Sequence, residues 1–240
     1  MLADTLRELN GARLTRHGRE ITLALLPPAT EAELREIEAG LPGPMPEEIR
    51  VALLVSKGLA NGPLESFSLV DLAGFGLDEV FPHPYSLAHD GSGNYWIVDV
   101  LPAGRWGAIW YACHDPPVIA YQAGTVDEFL RDVVGLRRPG PTSPVDRVHD
   151  EVVHRIWRED PDLLTPDAAG RSGDAVLQPF AATLPETARI ADLRQARVGQ
   201  GFAWGRHGPR TELRRAGAEP VWAILPPERK PGLLARIFGC

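Results

Sequence analysis

Two spacings of apolar residues alternate along this chain, and each change of spacing predicts a change of element. From Leu14 to Ala24 apolar and polar residues take turns around Gly18, which predicts two short strands and a turn, stopped by Pro27-Pro28. Thr30 with Glu33 three residues later is a capping-box signature. Leu34, Ile37 and Leu41 then recur at helical spacing, and Gly40 with Pro42 stops that helix. A second helix opens at Pro46, with proline at the first helical position. Glu47 and Glu48 favour the positive end of its dipole, and Ile49, Leu53 and Leu54 form its apolar stripe. It ends before the turn-prone Asn61-Gly62-Pro63.

The strand spacing then returns. Ser66 to Leu72, Tyr85 to His89, Tyr95 to Leu101 and Ala108 to Cys113 read as strands, and Asp90-Gly91-Ser92-Gly93-Asn94 joins the second and third as a hairpin. Thr125 and Glu128 form another capping box, ahead of a helix with Val126, Phe129, Leu130, Val133 and Val134 on one face. Two helices, several antiparallel strands and a helix make an α+β order: an antiparallel-rich sheet flanked by helices. Residues 137–146 are rich in Pro and Gly and read as a linker. The expected division is a domain over 1–136 and a C-terminal extension, or small second domain, over 147–240. In that extension Val148, Val152, Val153, Ile156 and Trp157 predict one helix, and residues 160–186 read as mostly irregular. Four short strands follow, at Ile190 to Leu193, Gly201 to Trp204, Thr211 to Arg215 and Val221 to Leu225.

One repeat stands out. Residues 14–28, LTRHGREITLALLPP, align without gaps on 213–227, LRRAGAEPVWAILPP, with eight of fifteen positions identical. Both copies read as strand–turn–strand units, expected to lie against related parts of the structure.

Composition narrows the class of protein. With 44% hydrophobic and 24% charged residues the chain suits a globular protein with a real core. Its apolar runs, the longest being the six residues Ala108 to Cys113, are far below the roughly 20 residues that span a bilayer, and its first residues carry no signal-peptide pattern. The chain therefore reads as cytoplasmic, without a membrane. Two cysteines, Cys113 and Cys240, are too few for a disulfide scaffold or a zinc ribbon. The net charge of −7 hides an asymmetry: residues 29–132 hold 16 acidic and 5 basic side chains, a balance of −11. Residues 189–240 hold 4 acidic and 10 basic ones, a balance of +6. Such polarity speaks about partners.

Several pieces in order resemble the SUKH superfamily, the Smi–Knr group of cell-wall-regulator-like and immunity proteins. They are Leu26-Pro27-Pro28-Ala29-Thr30 leading into an acidic helix over Glu31 to Glu38, then Leu41-Pro42 and Met45-Pro46 before the second helix. Leu87 to Trp96 follows, then Val98-Asp99, His114-Asp115-Pro116, Ala120 and the helix carrying Glu128-Phe129-Leu130. Asn61-Gly62-Pro63 departs from the family's Asn-Gly-Gly, and the segment after 146 has no counterpart in the minimal domain. The resemblance covers just under half of the chain. It implies a small antiparallel sheet with packed helices that works as a protein-binding module. Many bacterial relatives are immunity proteins that neutralise toxins, often nucleases, by binding them.

Catalytic patterns are weak beside this. The pairs His89-Asp90 and His114-Asp115 echo metal-dependent phosphohydrolases, but both sit at strand ends, where Asp is a turn former. His149 and His154 are five apart and diverge around a helix. Gly199 to Gly205 fails the dinucleotide fingerprint because Trp204 holds the third glycine position. Cys113 lies in an apolar run and reads as an inert thiol. No catalytic residue, metal or cofactor is therefore expected. The expected contact residues for a basic protein partner, such as a toxin domain, are Glu47, Glu48, Asp78, Glu79, Asp90, Asp99 and Asp115, joined by Tyr85, Trp96 and Trp106 as exposed aromatics. The alternative is a regulatory or nucleic-acid-associated protein that uses Phe202, Trp204, Arg206, His207, Arg210, Arg214 and Arg215, with aromatics for bases and Arg for phosphates.

Overall fold

The computed structural model describes residues 1–240 except 17–18, 63, 71–75, 136–142, 160–162 and 228–240. In chain order, helix α1 (Leu2–Leu9) precedes the hairpin of β1 (Arg13–Arg16) and β2 (Arg19–Thr22), then β3 (Ala24–Leu25), α2 (Glu31–Ala39) and α3 (Glu47–Leu53). Six strands follow: β4 (Gly58–Asn61), β5 (Ser66–Ser68), β6 (Pro84–His89), β7 (Tyr95–Val100), β8 (Trp106–His114) and β9 (Pro117–Ala123). Helix α4 (Val126–Gly135) leads to α5 (Pro144–Arg147), a π-helical turn over Val148–Val152, and α6 (Val153–Glu159). The remainder is α7 (Pro166–Gly170), α8 (Leu177–Ala181), β10 (Arg189–Asp192), β11 (Gly201–Phe202), β12 (Glu212–Arg215) and β13 (Val221–Leu225).

The fold is α+β, as its pattern predicts. Eight strands pair antiparallel in the order β11-β9-β8-β7-β6-β5-β4-β3, and a three-stranded sheet has the order β10-β13-β12. The capping box at Thr30 forms in full: the Glu33 amide donates to Thr30 Oγ1 at 3.3 Å and the Thr30 amide donates to Glu33 Oε2 at 2.7 Å. Before α4 the Glu128 amide donates to Thr125 Oγ1, while the Glu128 carboxylate accepts from Gly124, one residue upstream of a standard box. Pro46 stands just outside α3 as its N-cap, and Ala52 takes the buried place expected of Leu54, which is 49% exposed.

Both faces of the large sheet are covered, so its central strands alternate between two cores. Trp96, Val98, Ile109, Tyr111, Val118 and Ala120 face helices α2 to α4 and, from the C-terminal part, Val145, Val148, Val152 and Ile156. Ile97, Trp110, Ala112 and Ile119 face the other way, onto Phe81, Ala191, Leu213, Trp222 and Ile224. Trp222 is the keystone of this second core: its ring centroid lies 5.2 Å from that of Trp110, 5.3 Å from Phe202 and 6.0 Å from Phe81. Its indole N–H donates to Val80 O at 2.9 Å.

The chain after the expected linker thus builds on both faces and adds β11 to the edge of β9. The linker's last residues, from Pro144, already belong to a helix capped by Ser143; residues 137–142 lie outside the described part. Residues 160–186 hold α7 and α8 where irregular chain was expected. The two repeat copies are hairpins, β1–β2 and β12–β13, but they lie on opposite faces of the sheet: Leu14 joins the first core, Leu213 the second.

Candidate interaction site

Strand register sorts the expected contact residues into two groups. Trp106 opens β8 opposite Val100, and His114 closes it opposite Pro117. At ~3.3 Å per residue these ends stand roughly 26 Å apart. Glu47, Glu48, Asp78, Glu79 and Asp99 gather toward the Trp106 end, while Asp90 and Asp115 belong to the His114 end. The acidic residues do not form one continuous face.

Three of the expected contact residues are interior. Tyr85 and Trp96 are each 1% exposed, because the sheet turns both into the first core; Tyr85 donates to Leu69 O and Trp96 Nε1 to Gln122 Oε1 at 3.1 Å. Asp99 is held by Arg215, with Nη1–Oδ1 2.8 Å and Nη2–Oδ2 2.6 Å, both side chains 5% exposed. The Arg215 guanidinium also donates to Val80, Ala218 and Glu219 carbonyls and lies 5.2 Å over the Trp222 ring, so this buried pair meets its hydrogen-bonding needs.

The same contact removes Arg215 from the nucleic-acid set. Phe202 is fully buried, and Trp204 is partly buried and donates to Cys113 O. Arg206 donates to Trp157 O with its guanidinium 5.4 Å over that ring. Arg214 is exposed but paired with Glu212 at 2.7 Å; with His207 and Arg210 it lines a cleft of about 1010 Å³.

At the His114 end one member of each His-Asp pair, Asp90 and His114, meets the other through Asn94 in a hydrogen-bonded cluster. Burial would raise the Asp90 carboxyl, but hydrogen bonds from the Asn94 side chain, the Ser92 and Asn94 amides and His149 outweigh it and hold the group below its ordinary range. His149, on the π-helical turn, has one ring nitrogen 3.2 Å from Asp90 and the other 2.6 Å from Asp150. Asn94 Oδ1 takes the His114 amide at 3.0 Å and lies 2.8 Å from its ring. Burial raises the Cys113 thiol, and burial with the nearby thiol and Asp90 raises the Tyr111 hydroxyl. A thiol and a phenol kept neutral are poor nucleophiles. What the cluster does is tie the β6–β7 turn, the end of β8 and the π-helical turn together. Among the described residues no three His, Cys, Asp or Glu side chains come together to hold a metal.

The Trp106 end is different. Leu2, Pro46, Glu48, Ile49, Arg105, Trp106, Gly107, Thr125, Val126 and Asp127 enclose a pocket of about 200 Å³, where α1, α3 and the start of α4 meet the start of β8. Local chemistry builds its walls. Glu38 accepts from Arg50 at 2.5 Å and from the Met45 amide, which fixes α2 and the following loop to α3; the Arg50 bond, then that amide, hold the Glu38 carboxyl below its ordinary range. Gly43 and Gly104 then interlock: a Cβ on Gly104, whose φ is +75°, would meet Pro44 O at 2.4 Å, and one on Gly43 would meet the Ala103 carbonyl carbon at 2.6 Å. That close approach sets Arg105 and Trp106 beside the first turn of α3.

Trp106 is partly buried, its ring 4.6 Å from that of Tyr85. Its indole N–H is shut from solvent and has no acceptor among the described residues, an arrangement that costs about 1–3 kcal/mol. Glu48 accepts from the Leu2 amide at 3.3 Å, and Asp127 is engaged by Thr5 and Arg131. Glu47 and Arg105 form no ion pair among the described residues. Of the pocket-lining side chains, Arg105, Asp127 and Leu2 were not singled out from sequence. Leu2, Leu6 and Leu9 at helical spacing were the signal for α1.

No family model, no curated protein and no solved structure matches this chain.

Proposed function

We propose that this chain is a non-enzymatic protein-binding module of the SUKH type. In this reading it is a bacterial, cytoplasmic immunity protein that neutralises a basic toxin domain, such as a nuclease, by covering its working surface. One observation carries the reading: Glu48 and Trp106, two of the expected contact residues, meet at a preformed pocket, with Glu47 next to them on the exposed first turn of α3. An aromatic wall beside exposed carboxylates that form no ion pair among the described residues, Glu47 and Glu48, is the kind of surface that anchors a basic partner. The internal commitment of Asp90, His149, Tyr111 and Cys113 weighs in the same direction.

The test is co-expression and co-purification with the toxic C-terminal region of a large secreted protein encoded next to this chain. A stable complex, suppressed toxicity and an association rate that falls steeply between 50 and 500 mM salt are expected. Absence of any complex overturns the reading, and a salt-independent rate removes its electrostatic part. For the alternative on residues 201–215, only His207, Arg210 and Arg214 remain at the surface; titration with single-stranded RNA at low salt is expected to show no binding.

A further inference from the structure

We infer that the pocket between α1, α3, α4 and β8 is an anchor site for one apolar side chain of a partner protein, presented in a segment with one basic residue beside it. This rests on the binding-module reading and names the chemistry that its partner must carry. The size selects the occupant. About 200 Å³ is room for roughly six waters at ~30 Å³ each, which suits one leucine-sized side chain; drug-sized ligands occupy ~300–1,000 Å³. Leu2, Pro46, Ile49 and Val126 supply apolar wall, and the Gly43–Gly104 close approach lies directly before Arg105 and Trp106 in the chain.

Polarity selects what flanks that side chain. The Trp106 indole N–H is a donor without an acceptor among the described residues. A backbone carbonyl next to the anchor supplies one once the ring tilts on Tyr85, and that bond forms away from bulk water, where it is strongest. On the α3 side Glu47 and Glu48 offer negative charge, of which Glu47 has no ion pair among the described residues, so a Lys or Arg beside the anchor finds a counter-ion there. Asp127 adds no attraction, because Arg131 already neutralises it at 3.1 Å. Arg105 on the opposite wall favours the carbonyl side of the segment over a second cation.

The test uses the full-length ¹⁵N-labelled protein and the peptide acetyl-Gly-Gly-Leu-Lys-Gly-amide, read by the indole N–H resonances. The Trp106 signal is identified by its loss in Trp106→Phe, which keeps a ring and deletes the donor. The expected result is a saturable shift of the Trp106 resonance at millimolar peptide. Binding should be at least tenfold weaker for the Leu→Ser and Lys→Glu peptides and, followed through the Gly107 backbone amide, about tenfold weaker for Trp106→Phe. The same variant should unfold at an unchanged or higher temperature, because the donor it removes had no partner. An unmoved Trp106 resonance overturns the inference, as does acetyl-leucine-amide binding as tightly as the basic peptide. The two proposals fail separately. If Trp106→Phe co-purifies with a toxin as well as the parent does, the pocket assignment falls and the module stands. If the peptide binds and no toxin co-purifies, the immunity reading falls.

Discussion

At the scale of single residues, the described charges of this protein are mostly spent on holding it together. Asp99 and Arg215 are the clearest instance: 116 residues apart, they were read as members of two rival binding surfaces, and they neutralise one another between the two sheets. Nothing in the sequence could have joined them, since pairing at that separation is a property of the assembled fold. Asp132 is the opposite case, a carboxyl without a strong cation. Burial lifts it from 3.8 to about 6. Between those values the folded chain keeps a proton that the unfolded chain has released, so stability falls as pH rises through about 4 to 6 and levels off above. Asp132→Asn should abolish that fall and unfold later in urea at pH 7, by about 1 kcal/mol, a shift discounted because water still reaches the carboxyl. Glu33, held near 2 mainly by its bond from Lys57, acts with the opposite sign and at lower pH. The difference between parent and variant therefore isolates Asp132. A difference that stays constant from pH 4 to 7 would refute the assignment.

At the scale of elements, legibility followed the physics of each segment. Helices announced by side-chain caps were read correctly: Thr30 with Glu33, and Thr125 with Glu128. The hairpin around Asp90 to Asn94 was equally plain, since its turn demands those residue types. Strand β9 was missed because it opens on Pro117 directly after Pro116, a pair that reads as a loop ahead of the short apolar run Val118 to Tyr121. Helices α7 and α8 are five residues each, too short for a periodic signal, although Thr165 caps α7 through the Ala168 amide at 3.2 Å. The pocket itself was illegible, because it depends on two loops meeting through glycines 61 positions apart. Gly104→Ala should expose that dependence. Its Cβ meets backbone at 2.4 Å and its φ of +75° disfavours alanine, so the chain is expected to lose about 1–3 kcal/mol of stability. The Trp106 fluorescence should also shift as its wall moves away from α3. Unchanged stability with an unchanged emission maximum would mean that the interlock does not set the pocket.

At the scale of the whole molecule, the question is whether the part that resembles a minimal family domain stands alone. The pattern suggested a break near 136, yet the sheet in that part has two greasy faces. Val80, Phe81, Ile97, Trp110 and Ile119 find their cover in Ala191, Leu213, Trp222 and Ile224, all beyond the break. The first core likewise draws Val145, Val148, Val152 and Ile156 from it. Uncovering five large apolar side chains at ~1.5–3 kcal/mol each forfeits about 10 kcal/mol, comparable with the whole stability of ~5–15 kcal/mol that such a chain commands. A chain ending at Gly135 should therefore associate or stay loosely packed, seen as early elution in size exclusion and a flat near-ultraviolet dichroism spectrum. The full chain should give a monomer-sized or defined oligomeric peak and a sharp unfolding transition. Cooperative unfolding of the shortened chain as a monomer would show that the second face tolerates water, and that the C-terminal sheet is an ornament on an autonomous fold. If it fails to fold, the extension is what closes the molecule. The proposed partner surface is then confined to what both halves leave open, the Trp106 end of the sheet foremost.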